Sequence, residues 1–370
     1  LYGRSILPWD DRRAAAADGT RRAKLRNGKV FATFVQNSIG GMEQNKRTQI
    51  AELGEFGLID KLTGAFAPRN RTTQRGVGDD AAVIAASRSE ATYFPLKHLG
   101  YKTVTVGASD ILAMNALPEQ LLLSLGVSSK FSVEALQEFY EGVRLACEEL
   151  NIDLAGGDTT ASVTGLTVNV TAIGRARRND IVYRNGAKPN DLICITGNLG
   201  AAYMGLQLLE REKRVLHDVE NPEPQFAGHE YLLEKYLKPR ARRDVITALA
   251  EEKLRPTAMI DLSDGLASDL MQLCKASDCG ARIYLERIPI ARQTHQLAEE
   301  MHTDPVVAAL NGGQDHELLF TVPLSMQEQV MRLGLVDVIG HITQPGTGCY
   351  LVTPDGSDIR LKAQGFKEGI

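Results

Sequence analysis

Short apolar runs of strand length alternate with amphipathic stretches of helical spacing in both halves of this 370-residue chain, and that alternation restricts its fold most. In the first half, 121–127 reads as a strand. Ser132 is placed to cap a helix whose buried stripe is Leu136, Phe139, Tyr140, Val143, Ala146, Cys147 and Leu150. Segment 165–174 alternates Leu166, Val168, Val170 and Ala172 with polar or smaller partners, which predicts a strand with one wet face. Segment 48–62 has helical spacing, 69–75 has the composition of an exposed loop, and 109–116 begins a helical stretch that Pro118 either ends or follows by opening the next loop. Lys188-Pro189-Asn190-Asp191 is a turn signal, followed by a strand at 192–196 and a helix at 201–212. Further helices are expected at 241–253, 266–275 and 294–301, and strands at 258–262, 281–285, 317–322 and 336–339. The pattern predicts an α/β layered (α+β) chain of two domains, 42–180 and 188–370. Residues 1–41, ahead of Met42, crowd Arg12, Arg13, Arg21, Arg22, Lys24, Arg26 and Lys29 around an alanine run and are expected to be a disordered extension.

Composition removes several function classes. With 43% apolar residues, 24% charged residues and a net charge of -4, the chain lacks the basic surface of a nucleic-acid binder. Five scattered cysteines with no C-x-x-C pair point to neither a disulfide framework nor a zinc site, and a reducing, cytoplasmic setting is expected. No apolar run approaches the roughly 18 to 20 residues a membrane helix needs, so no membrane partner is expected.

Four places set aspartate beside glycine, serine or threonine where an element should begin or end: Gly78-Asp79-Asp80, Ser109-Asp110, Gly156-Gly157-Asp158-Thr159-Thr160 and Asp261-Leu262-Ser263-Asp264-Gly265. Singly, each reads as a helix cap or a glycine turn. Together they suit phosphoryl transfer, in which Mg²⁺ bound by carboxylates neutralises the phosphates and turn N–H groups receive their oxygens. In the last motif, strand alternation sets Asp261 and Ser263 on one side, and Ser263 with Asp264 opens a helix whose N-terminus favours anions. There is no G-x-x-x-x-G-K-[ST] and no protein-kinase motif set, so ATP would be held through metal-bound phosphates, with Arg184 the best direct phosphate cation.

These motifs, with EFGLID, VGDDAAV, SDILAMNA, AGGDTT, VYRNGAKPNDLICITGNLG, IDLSDGLASDL, KASDCGARI, NGGQDHELLFT and the closing QGF, make the chain resemble the thiamine-monophosphate kinase family of the aminoimidazole ribonucleotide synthetase superfamily, from about Gly54 to Phe366. The resemblance implies an N-terminal ATP-binding and dimerisation domain, a C-terminal domain, a homodimer, and ATP with Mg²⁺ in a cleft between domains. It implies transfer of the ATP γ-phosphoryl group to thiamine monophosphate. Metal ligands would fall on Asp80, Asp110, Asp158, Asp261 and Asp264, and ATP contacts on Gly157, Arg184 and Ser263. No side-chain general base is implied. Three positions depart from the family pattern. The strand and loop carrying a further metal aspartate and a substrate histidine are missing where Ile84–Glu90 passes to Tyr93–His98, and His98 belongs to the flanking segment. Gln314 stands where the family has a substrate-contacting glutamate, and Gly107 where asparagine is usual. Phe366 has two readings of equal standing, the aromatic partner of the substrate ring or a phenylalanine that simply packs the end of the chain. The missing unit also admits a second reading, a non-catalytic nucleotide-binding homologue. A related synthetase is a third, which the Gln-Asp-His-Glu segment disfavours.

Overall fold

Two sheets organise the residues that the computed structural model describes, 83–85, 95–163, 165–216 and 224–363. All belong to the unit formed by residues 54–370. The expectations for 1–41, 48–62, 69–75, Asp80 and Phe366 lie outside the described residues.

The first sheet holds β1 (Val83–Ala85), β2 (Leu117–Val127), β3 (Asp153–Ala161) and β4 (Leu166–Arg175) in the order β1-β4-β2-β3. β4 runs antiparallel to β1 and β2, while β3 is parallel to β2. A parallel neighbour requires a crossover, and α2 (Val133–Leu150) supplies it. Ser132 Oγ accepts from Ala135 N at 3.2 Å as the cap, and Asn151 ends the helix at φ 52°. The stripe is buried as expected at Phe139, Val143, Ala146, Cys147 and Leu150, but Tyr140 faces solvent.

The helix expected at 109–116 begins earlier: α1 spans Leu96–Leu112, so Ser109 and Asp110 sit in its last turn. Pro118 ends nothing. It lies in β2 before β3 has joined that strand, next to a register shift between Pro118 and Gln120, where its missing N–H leaves no broken ladder. α1 and α2 touch backbone to backbone. A Cβ on Gly100 would stand 1.9 Å from the Phe139 carbonyl oxygen, and one on Gly142 1.7 Å from that of Lys97.

The second sheet holds β5 (Leu192–Thr196), β6 (Ala258–Asp261), β7 (Gly280–Tyr284), β8 (Leu318–Val322), β9 (Val336–Thr343), β10 (Cys349–Val352) and β11 (Asp358–Arg360), ordered β11-β10-β7-β9-β5-β8-β6. Only β10 and β7 pair in parallel. Its helices are α3 (Ala201–Val215), α4 (Glu230–Leu237), α5 (Arg243–Glu251), α6 (Leu266–Ser277), α7 (Arg292–Glu300), α8 (Pro305–Asn311) and α9 (Gln327–Arg332). Sequence periodicity anticipates five of the strands and helices α3, α5, α6 and α7; α4, α8, α9, β10 and β11 are too short or too polar to announce themselves.

β5 is buried on both faces. Cys194 joins Leu121, Phe139 and Phe320 in a core shared with the first sheet, α1 and α2. Ile193 and Ile195 point the other way, into a core with Leu319, Leu266 and Leu270. Among the described residues no helix is long and apolar enough to cross a membrane.

Candidate functional site

β6 ends at Asp261, and the chain beyond it keeps pairing with the segment that enters β8. Leu262 N donates to Glu317 O at 2.8 Å, His316 N to Leu262 O at 2.9 Å, and Gln314 N to Ser263 O at 2.8 Å. This irregular continuation needs left-handed backbone at Gly313 (φ 68°), Gln314 (66°) and His316 (50°), uncommon for residues with side chains. The His316 ring faces the strand end, with Nδ1 3.5 Å from Asp261 Oδ2.

The last turn of α1 closes on the same carboxylate. Ser109 Oγ donates to Asp261 Oδ2 at 2.9 Å, a buried bond across 152 residues of sequence. Asp261 is 1% exposed, and among the described residues neither its Oδ1 nor His316 Nε2 has a hydrogen-bond partner. Burial, and then the charge of Asp261, push the Asp110 carboxyl up to about 8. Two close carboxylates with a buried, unpartnered oxygen are costly to charge in an empty site and favourable beside a cation, so the donor set fits a hard metal ion. Among the described residues no three His, Cys, Asp or Glu side chains are grouped to hold an ion, so further ligands would come from Asp80, from phosphate oxygens or from water.

The loop after β6 departs from its sequence reading in one respect. Helix α6 begins at Leu266, one residue beyond the Gly265 cap, rather than at Ser263. The N–H groups of Ser263, Asp264 and Gly265 all donate to Asp269 Oδ2, at 3.0, 3.1 and 3.2 Å. The turn's anion-receiving amides are thus committed to an internal carboxylate, which burial and the charges of Asp261 and Asp264 raise well above its ordinary pKa. Ser263 is half-buried and Asp264 exposed.

The remaining expected residues are spread more widely. Gly156-Gly157-Asp158 forms no turn: it lies within β3, and Asp158 pairs with Ser124 on a strand exposed along its whole length. Gly157 has a packing reason to be glycine, since a Cβ there would meet Leu123 O at 1.8 Å. Arg184 lies beside β6. Tyr183 O accepts from Met259 N at 3.0 Å, and a Cβ on Gly186 would meet Thr257 O, so the segment runs along β6 away from Asp261. Gln314 is half-buried and joins the site through its backbone N–H to Ser263.

Sequence reasoning missed the residues that support this site. Asp315 takes N–H bonds from Gly200 at 2.8 Å and Ala202 at 3.2 Å, capping α3, and burial pushes its carboxyl up to about 7. Glu317 is held by Thr196 Oγ1 at 2.7 Å, Lys235 Nζ at 3.1 Å and the Arg242 guanidinium. The signal was present: Asp-His-Glu runs straight into the apolar Leu-Leu-Phe-Thr strand, and charged residues entering a central strand must be buried with partners. A cavity of about 730 Å³ elsewhere, lined by Tyr284, Arg287 and His341 among others, shares no residue with this site.

Comparison with known proteins bears on the chemistry. Residues 78–176 match the N-terminal domain family of AIR synthase related proteins and residues 188–348 the C-terminal domain family, so the chain carries two domains of that type. It is 30% identical to thiamine-monophosphate kinase of Bacillus subtilis over 338 residues, 85% of this chain and 99% of that one. It is 32% identical to the Escherichia coli K12 enzyme of the same name over 324 residues, 82% and 91% of the respective chains. A solved structure of AaThiL complexed with AMPPCP and TMP superposes with a TM-score of 0.69 at 28% identity, covering 85% of this chain and 97% of the other.

Proposed function

This chain belongs to the thiamine-monophosphate kinase family, and from that premise we propose that it transfers the γ-phosphoryl group of ATP directly to the phosphate of thiamine monophosphate, giving thiamine diphosphate. The observation that carries the reading is the Asp110–Asp261 pair, a half-buried carboxylate beside a fully buried one that has an unpartnered oxygen among the described residues. Mg²⁺ held there, with Asp80, phosphate oxygens and water completing its shell, would neutralise the charge between two phosphates, while Asp158 and Asp264, which are not grouped with the pair, would meet metal only through bound phosphate or water. Ser109 fixes the orientation of Asp261, and Asp269 holds the loop that carries Ser263 and Asp264. Gly157, Arg184 and Ser263 contact ATP in this reading, and Gln314 and Phe366 the thiamine moiety. The attacking phosphate is already an anion at neutral pH, so positioning takes the place of a side-chain base.

A homodimer across the first sheets belongs to the same reading. The exposed edge strand β3 and the exposed Leu122, Leu154 and Ile173 of that sheet support it. The test is to incubate purified protein with ATP, Mg²⁺ and thiamine monophosphate and separate thiamine diphosphate chromatographically. Product should form only with Mg²⁺ and fall about a hundredfold or more in Asp261→Asn. Binding of Mg·ATP with no product would instead favour the non-catalytic homologue suggested by the unit missing between Ile84 and Tyr93, and would end the kinase reading.

A further inference from the structure

Three cysteines meet where α6 ends against the outer strands of the second sheet. Cys274 lies in α6 and is 2% exposed. Cys279 follows the helix, and both its N–H, at 3.1 Å, and its Sγ, at 3.8 Å, approach the Cys274 carbonyl oxygen. Cys349 opens β10, opposite Ala281 of β7. All three are free thiols, Cys274 lies in a buried apolar cluster, and the partly exposed Cys279 and Cys349 pack against that cluster. The spacing of these residues in sequence gives no hint of the cluster, which only the β7–β10 pairing assembles.

The same turn of α6 carries a second attachment. Ser277 Oγ accepts from Gly186 N at 3.1 Å and Ala187 N at 3.2 Å, and donates to Arg184 O at 3.1 Å. Cys279 also feels the charge of Asp191, whose carboxylate accepts from Lys188 N at 3.0 Å. The helix end that carries Cys274 therefore also anchors the segment that carries Arg184.

We propose that Cys274, Cys279 and Cys349 form a thiol-oxidation site at which a peroxide closes a disulfide with Cys274 as one half, loosening the 184–188 segment. The thiolate of Cys279 or Cys349 attacks one peroxide oxygen. The O–O bond breaks, leaving a sulfenic acid and, after proton transfer, one water. The Cys274 sulfur then attacks that sulfur, and the displaced hydroxide leaves with the Cys274 proton as a second water. Two thiols give up two electrons and two hydrogens, and the peroxide is reduced to two waters. The order of attack follows the local chemistry: Cys274 can give its one proton to either neighbour, which holds the partly exposed Cys279 and Cys349 thiols below their usual pKa, while Cys274 itself is raised. Closing it through Cys279 removes the thiol proton that Cys279 donates to the Cys274 carbonyl oxygen at 3.8 Å and imposes the disulfide's own Cα and Cβ spacing on the helix turn that carries Ser277.

The disulfide stands independently of the kinase reading; its effect on nucleotide affinity rests on that reading. The experiment treats the full chain with hydrogen peroxide, maps disulfides in non-reducing digests, and follows hydrogen exchange across 184–188 with Mg·ATP calorimetry alongside. The expected result is Cys274 linked to Cys279 or Cys349, Gly186 and Ala187 amides exchanging about tenfold faster, and both reversed by dithiothreitol. Cys274→Ser should abolish both changes. Because that position is buried, the double variant Cys279→Ser/Cys349→Ser serves as a second test and should keep reduced-state exchange under peroxide. A Cys279–Cys349 link, oxidation without any disulfide, or a Cys274 disulfide with unchanged exchange would overturn the proposal. Failure of the reduced protein to bind Mg·ATP would count against the nucleotide reading alone, since mapping and exchange still decide the thiol site.

Discussion

Lys102 is the residue whose charge costs the fold most visibly. It is 5% exposed, with its ammonium 3.9 Å over the Tyr236 ring, and burial pulls its pKa from 10.5 down to about 7 against the opposing pull of Asp315. The folded pKa is depressed, so between about 7 and 10.5 the folded protein holds fewer protons than the unfolded chain. Stability from this group is therefore present above the unfolded value and lost as pH falls through the window. At about 1.4 kcal/mol per pKa unit the effect reaches a few kcal/mol. Lys102→Met should remove it: urea midpoints of the wild type should rise between about pH 7 and about pH 10, while those of the variant stay level. At this scale the sequence was informative where acids sit among small residues at element ends, as at Asp110 and Asp261. It was silent where a polar group hides in an apolar run, as Lys102 does in α1 and Asp269 in α6, because only tertiary partners make such burial tolerable.

Elements were legible in proportion to how far their own residues chose them. β5 and β8 are dominated by aliphatic, aromatic and β-branched residues and sit where periodicity put them. Ala155-Gly156-Gly157-Asp158 has poor strand propensity and reads as a turn; pairing with β2 alone makes it a strand. The start of α1 was hidden for a related reason, since Thr103-Val104-Thr105-Val106 favours extended backbone and is helical because glycines let α2 press against it. The glycine contact can be tested. Gly142→Ala puts a methyl group into the Lys97 carbonyl, so the helices must part, and thermal unfolding should show a loss of about 3 kcal/mol.

For the whole molecule, the governing fact is that the core does not respect the boundary between the two domain families. Leu121 and Phe139 from the first region pack in one cluster with Cys194, Val245 and Phe320 from the second. Residues 95–363 should therefore unfold in a single transition, with coincident far-ultraviolet circular dichroism and calorimetric curves; two resolved steps would show that the regions fold apart. The hydrogen bond from Ser109 to Asp261 repeats that arrangement in miniature. It divides the carboxylate pair between the two domain families, each recognisable by itself and each holding one of the two carboxyl groups. Neither region alone carries both carboxyl groups, so cutting or exchanging one of them parts the pair, and the site is a property of the undivided chain.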